Sequence, residues 1–405
     1  MITNSNKKIG ILRISLIGAC LMALSPLSID MYLPAFSLIA RDLNTTAGAV
    51  QLSLSVFFAG LTIGQLFYGP LSDRFGRKGP LLIGLTMYSL GGLGCILTAD
   101  ITVFILCRFI QSLGAAAGMV ISQVLVPDIF KDKKSSSLVF SILMLVLGIA
   151  PIIAPSLGSL ILGIAGWKWI FSTLLFFGVG LIITVIIALP ETSGANRSVR
   201  ISRTFHSYAK VIKHPGFLNT ALVRSLANAG MFIYITSAPF IFTQLLHLDE
   251  TQFGLVFACT ALSMMVGNLI NSFLLKKYSP ELLYKTAIRI VLSFSLLSAI
   301  SGFIAPTLFL LIIPIMGYLF GLGMIMPNAT SLALMGHGAN SGSASALIGS
   351  FQFAFAFCAS GIISFLPKEG ALPMTLGVAF CGLCTAGFYC IKNGCTSERT
   401  NAAVR

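Results

Sequence analysis

Residues 64–78 read Gly64-Gln65-Leu66-Phe67-Tyr68-Gly69-Pro70-Leu71-Ser72-Asp73-Arg74-Phe75-Gly76-Arg77-Lys78, and what flanks them decides the fold. An apolar stretch near 47–69 comes before and another near 79–98 follows. Each is about 20 residues, the length a helix needs to cross ~30 Å of hydrocarbon. Between them fall Asp73, Arg74, Arg77 and Lys78. So polar a segment between two such runs reads as a loop at a membrane surface. In it Gly69 and Gly76 permit close backbone approach and a tight turn. Ion pairs between Asp73 and its basic neighbours are of the kind that break and reform as helices move.

The pattern extends in both directions. Apolar windows bounded by charge or turn signals fall near 14–38, 47–69, 79–98, 101–125, 136–162 and 168–189, and again near 217–242, 252–275, 284–304, 307–332, 342–366 and 371–391. The expected architecture is all-α, with about twelve transmembrane helices in two sets of six. The polar stretch from Glu191 to Pro215 separates the sets. It divides the chain into an N-terminal half, 1–190, a linker, 191–215, and a C-terminal half, 216–405. Arg197, Arg200 and Arg203 recur in the linker at three-residue spacing, with Phe205, Tyr208, Val211 and Ile212 following. That suits either a short amphipathic helix on anionic headgroups or a solvated basic linker. A faint parallel repeat aligns Gly64-Gln65-Leu66 with Gly267-Asn268-Leu269, each ahead of a basic loop. The start, with Lys7, Lys8 and Arg13 before an apolar run, resembles a signal peptide. Its run continues through Asp30 without a small-residue cleavage site, so it reads as a retained first helix.

Composition agrees. Of 405 residues 56% are hydrophobic and 9% charged, and mean hydropathy is +0.94; a soluble surface needs far more charge. A formal charge of +14 would suit nucleic acid, but placement argues otherwise. With the N-terminus in the cytoplasm, only Arg41, Lys168 and Lys368 fall in outer loops, and Arg108 and Arg224 fall within spans. All other Lys and Arg lie on the cytoplasmic side, the asymmetry of the positive-inside rule. The charge is topological, both termini are expected in the cytoplasm, and no nucleic acid partner is expected. Eight of the nine cysteines lie in apolar segments and read as small packing residues, Cys381 and Cys384 included. No metal and no cofactor is expected, and the absence of a GxxxxGK[ST] loop leaves an ion gradient as the energy source.

Ionisable groups within spans are expensive and mark function by default. Asp30 lies between Pro26 and Pro34 in the first helix, ~15 Å from its outer end. A carboxyl at that depth can load and release a proton, as coupling to a proton gradient requires, or can be a permanently ionised partner in a salt bridge. Arg108 lies ~10 Å from the same face in the fourth helix, so a direct or water-bridged contact with Asp30 is open, and Gln111 shares its face. Arg224, in the seventh helix with Asn228 one turn on, either snorkels to headgroups or lines a cavity. Asn268, Asn271, Asn328 and Gln352 read as interhelical hydrogen-bonders.

Residues 64–78 resemble the signature loop of the major facilitator superfamily, which latches the cytoplasmic side of the outward-open state. Leu106 to Gly118, with Arg108, Gln111 and Gly114, looks like that superfamily's fourth-helix motif, whose arginine is associated with proton coupling. The run Gly148-Ile149-Ala150-Pro151-Ile152-Ile153-Ala154-Pro155-Ser156-Leu157-Gly158 looks like its fifth-helix antiporter motif. Pro151, Pro155 and Gly158 there suggest a kinked helix with a flat packing face. The segments Ser28 to Ala35, Gly166 to Phe171, Leu189 to Thr192 and Gly342 to Leu347 are similar to the Bcr/CflA drug-resistance subfamily. Departures are Ser112 and Ser159 where glycine is usual, Lys168 for an arginine, the Gln123 to Asp128 end of the fourth helix, and Arg224.

The resemblance implies proton-coupled efflux of small hydrophobic or amphipathic drug-like compounds across a bacterial inner membrane, with no enzymatic activity. Asp30 and Arg108 would couple protons. Tyr32, Phe57, Phe58, Gln111, Arg224, Asn228, Tyr234 and Phe240 would line the substrate cavity. Gly64, Gly69, Asp73, Arg74, Gly76, Arg77, Pro151, Pro155 and Gly158 would serve conformational change. A dedicated metabolite transporter in the same fold is the alternative. Two six-helix halves hold a complete path, so a monomer suffices.

Overall fold

The computed structural model describes residues 4–130, 132–192, 201–304, 307–335, 340–367 and 370–403, without the side chains of 4–12, 133, 201–203, 215, 250 and 392–403. Arg197, Arg200 and Lys368, and the side chains of Lys7, Lys8 and Arg203, therefore lie outside the described residues. The helices are α1 (Asn4–Asp30), α2 (Phe36–Asp42), α3 (Ala47–Phe75), α4 (Lys78–Leu97), α5 (Ile101–Ile129), α6 (Lys133–Ala165), α7 (Trp167–Ala188), α8 (Ile201–Ile212), α9 (Pro215–Phe240), α10 (Glu250–Leu274), α11 (Pro280–Phe303), α12 (Leu308–Leu334), α13 (Ser341–Phe365) and α14 (Leu372–Ala403). Among the described residues there is no strand, and twelve segments are long and apolar enough to cross a membrane. The first joins α1 to α2.

The second span extends to Phe75, so most of the expected 64–78 loop is helix and only Gly76 and Arg77 separate α3 from α4. Thr46, Asp100, Asp132 and Ser279 cap α3, α5, α6 and α11 by accepting a backbone N–H three residues on, which explains why those helices begin there. The linker's second half forms α8, with Tyr208 and Val211 buried and Phe205 packed edge-on against Tyr208.

Two compact units emerge: Met1–Thr204 with Asp249–Ala258, and Phe205–Leu248 with Cys259–Arg405. In the first, α5 packs against α3, α4 and α1. Hydrocarbon supplies no hydrophobic drive between helices, so close backbone approach through small residues does the work. Gly64 sits against Ala116, and Gly84 against Ala117 and the Gly114 carbonyl. Gly69, by contrast, has open space beside it; its expected close approach is absent.

Burial ranks the spans. The first is 78% buried and the seventh 83%, against 22% for the span in α6, so α1 and α9 are the most enclosed elements and α6 one of the least. The first span is also broken. Pro34 has no N–H to offer the preceding turn; α1 stops at Asp30, Leu33–Ala35 forms a 3₁₀ turn, and α2 resumes at Phe36. Gly158 of α6 lies directly on the Met31 carbonyl at this break. Pro151 and Pro155 both sit inside the same continuous helix.

Gly158 and Gly163 of α6 thus make a matched test, since one meets backbone and the other nothing. Gly158→Ala should destabilise the detergent-solubilised protein by about 1–3 kcal/mol through overpacking. Gly163→Ala should stabilise it by roughly 0.5–1 kcal/mol. Thermal unfolding of the two variants reads the difference; equal midpoints would remove the close approach to Met31.

Candidate functional site

Arg108 is wholly buried, with both terminal nitrogens bonded and Nε left without a partner. One guanidinium nitrogen donates to Gln111 Oε1 at 2.6 Å and the other to the Ser28 carbonyl at 2.8 Å. Its central carbon lies 4.3 Å from the Tyr32 ring centroid, 4.2 Å from Phe57 and 5.6 Å from Phe171. Three aromatic faces and two oxygen acceptors thus take the place of a carboxylate. Ser28 belongs to the last turn of α1, whose carbonyls have no helical donor once the chain breaks. The negative end of that helix favours the cation.

Asp30 closes α1 and is 3% exposed. Its Oδ1 is buried without a hydrogen-bond partner, and among the described residues it has no ion pair. The contact with Arg108 left open by the spacing is therefore not a salt bridge. Instead, Arg108 holds the backbone two residues before Asp30.

Tyr32, Phe57, Arg108 and Gln111 come together as a cluster. Phe58 is buried beside it in sequence. Two members were not anticipated as site residues. Phe171 meets Tyr32 edge-on at 5.7 Å between centroids and packs against Arg108; its signal was the Gly166 to Phe171 run. Tyr88 binds the Ser28 hydroxyl at 2.8 Å, and nothing in its surroundings in the chain announced it.

At the α3–α4 junction Arg77 is the hub. Nη1 meets Asp73 Oδ1 and, at 2.9 Å, the Ser72 hydroxyl, while Nε donates to Asp128 Oδ2 at 2.8 Å. Burial opposes its charge, but the Asp128 and Asp73 carboxylates outweigh that and hold the guanidinium above its usual pKa. Glu191 accepts from the Arg77 and Lys78 backbone N–H groups at 2.8 and 3.1 Å, an anion on the N-terminus of α4. Gly76 adopts φ of 87°, and a side chain there would strike the Glu191 carboxylate. Asp73 thus pairs with Arg77 and not with Arg74, which instead lies over the Phe75 ring. Asp128 and Glu191 were missed as partners.

The remaining expected residues lie in the second unit. Tyr234 bonds Thr260 at 2.9 Å, and Phe240 is half-buried at the end of α9. Asn228 donates to the Met326 sulfur at 3.2 Å while its Oδ1 is buried without a partner. Arg224 is 8% exposed, and its Nε and Nη1 are buried with no acceptor. A side chain snorkelling to headgroups would keep those atoms exposed. Asn328 donates to Asn271 at 2.7 Å, the interhelical role expected of both. The eight described cysteines are free thiols, and no cluster among the described residues is suited to a metal.

Comparison with known proteins places this geometry. The chain is 33% identical over 362 residues to an "Uncharacterized MFS-type transporter YdgK" of Bacillus subtilis, covering 87% of this chain and 89% of that protein. It is 30% identical over 367 residues to a "Bicyclomycin resistance protein homolog" of Haemophilus influenzae, covering 89% and 91%. Among solved structures it is similar to a bacterial homolog of the human lysosomal transporter Spinster, with a TM-score of 0.74, 13% identity, and coverage of 96% and 98%. Since the Major Facilitator Superfamily model matches residues 18–365, the chain belongs to the Major Facilitator Superfamily: it is a multi-pass membrane transporter with that fold and not an enzyme.

Proposed function

We propose that this transporter is a proton-coupled exporter of small drug-like compounds in the bacterial inner membrane, with both termini cytoplasmic, working by alternating access between its halves. One observation carries the reading: Asp30 is a carboxyl buried at the break of the first span with an unpartnered oxygen and no counter-ion among the described residues. A structural ion pair would have had its cation beside it, and the neighbouring Arg108 is engaged elsewhere. A group so placed gains or loses a proton at large energetic consequence. The similarity to a bicyclomycin resistance protein homolog of Haemophilus influenzae supports an antibiotic as cargo, and the distribution of Lys and Arg supports the orientation.

In this scheme Asp30 takes a proton from outside as cargo leaves and gives it up inside. Arg108 is a positioning residue. It is bonded to the backbone of the segment carrying Asp30, so a change of charge at Asp30 and the pose of the broken helix are felt at one place. Asp73, Arg77, Asp128 and Glu191 form the cytoplasmic latch whose pairs exchange as the halves rock.

In inverted vesicles with an imposed pH gradient, adding a transported compound should release protons. Asp30→Asn should reduce this to background while compound binding persists; a fully active variant would end the proton role. Arg108→Lys should cost at least about tenfold in rate, because an ammonium cannot reproduce the planar fork and its three stacked faces. Unchanged transport would leave Arg108 a packing residue. For the latch, Arg77→Gln removes the partner of Asp73 and Asp128, and reactivity of cysteines introduced near the outer ends of the spans should change. Identical labelling would separate the network from gating.

A further inference from the structure

Of the two arginines buried in spans, Arg108 has two oxygen acceptors and three aromatic faces, whereas Arg224 has none of these. Nor is there a carboxylate to neutralise it. Among the described side chains of the second unit the only one is Glu281, which is exposed at the start of α11. The titratable group within electrostatic reach of the Arg224 guanidinium is the Tyr284 hydroxyl. That hydroxyl is itself buried without a hydrogen-bond partner. Asn228, one turn from Arg224, spends its amide N–H on a methionine sulfur, a weak acceptor readily given up. Three buried donors of α9 and α11 therefore lack a good acceptor, in a unit whose described interior holds no anion. A guanidinium out of water without a partner is costly enough that such sites are built for a ligand or are lost.

We propose that the second unit holds an anion-binding site centred on Arg224, with Asn228 and Tyr284 as accessory donors, and that the cargo carries a carboxylate. This rests on the transporter reading above and narrows its substrate class. A carboxylate offers about four lone-pair sites, enough for all three side chains. An anionic cargo also fits the proposed coupling: a proton inward and a monovalent anion outward both move charge in the direction an inside-negative potential favours.

The test uses the purified full-length transporter in a neutral, lipid-free detergent, with benzoate against benzamide and 1-naphthoate against 1-naphthamide. Thermal midpoints are read as a function of ligand concentration. Each acid should raise the midpoint by about 2 °C or more beyond its amide at saturating concentration. Arg224→Gln should erase that difference and Arg224→Lys keep part of it. Tyr284→Phe, which leaves charge and packing in place, should reduce it by about half or more and serves where Arg224→Gln fails to fold. Equal shifts for acid and amide, including none for either, overturn the proposal, as does an acid preference that survives Arg224→Gln. Because no gradient is present, acid-selective binding by a chain that fails the vesicle assay would sink only the coupling scheme. Transport of neutral compounds alone would sink only the anion site.

Discussion

Every backbone polar group inside hydrocarbon must find a partner within the protein, and the first span breaks that ladder at Pro34. An orphaned buried carbonyl costs about 1–3 kcal/mol. Here Arg108 donates to the Ser28 carbonyl, and the negative end of α1 in turn steadies the cation. Each favourably stacked ring adds roughly 0.5–2 kcal/mol, so Tyr32, Phe57 and Phe171 together offset part of the cost of burying a guanidinium without a carboxylate. The arrangement leaves Asp30 at the break with an oxygen to spare. The end of α1 at Asp30 is therefore where the anchored arginine, the aromatic cluster and the free carboxyl meet.

The second unit places a neutral donor against its first span, though there the helix is unbroken. There the Tyr318 hydroxyl of α12 donates to the Ala227 carbonyl of α9 at 2.6 Å, as Arg108 of α5 does to Ser28 of α1. In both units the fourth span braces the backbone of the first. The charges are distributed differently: the first unit places a carboxyl on its first span and a cation on its fourth, the second a cation on its first span and a phenol on its fourth. The two units thus share a bracing contact but differ in what their first span carries, a carboxyl in one and a cation in the other.

The α3–α4 junction shows how a short turn gathers distant carboxylates. Gly76 turns the chain with a φ open chiefly to glycine, which exposes two backbone N–H groups to Glu191 from beyond α7. Arg77 then reaches Asp128 at the end of α5. Asp73 is about half exposed, so that pair contributes little stability by itself. Its value lies in belonging to a network whose members come from α3, the α3–α4 junction, α5 and the segment after α7.

Local composition alone settled the membrane class, the twelve spans and the identity of the intramembrane charges; the break of the first span after Asp30, in what read as one continuous helix, came only with the structure. Hydrocarbon imposes a length and a polarity that can be read without knowing any neighbour. The resemblance of 64–78 to a known signature added the family but misjudged its form, because amphipathic residues at a helix end read as a loop when the helix's last turns lie beyond the hydrocarbon. Partners were another matter. Arg108 finds Ser28 across 80 positions and Arg77 finds Glu191 across 114, separations at which spacing along the chain says nothing about distance. That both terminal nitrogens of Arg108 find acceptors while Asp30 Oδ1 and two nitrogens of Arg224 find no partner depends on which helix faces which, and packing in three dimensions decided it.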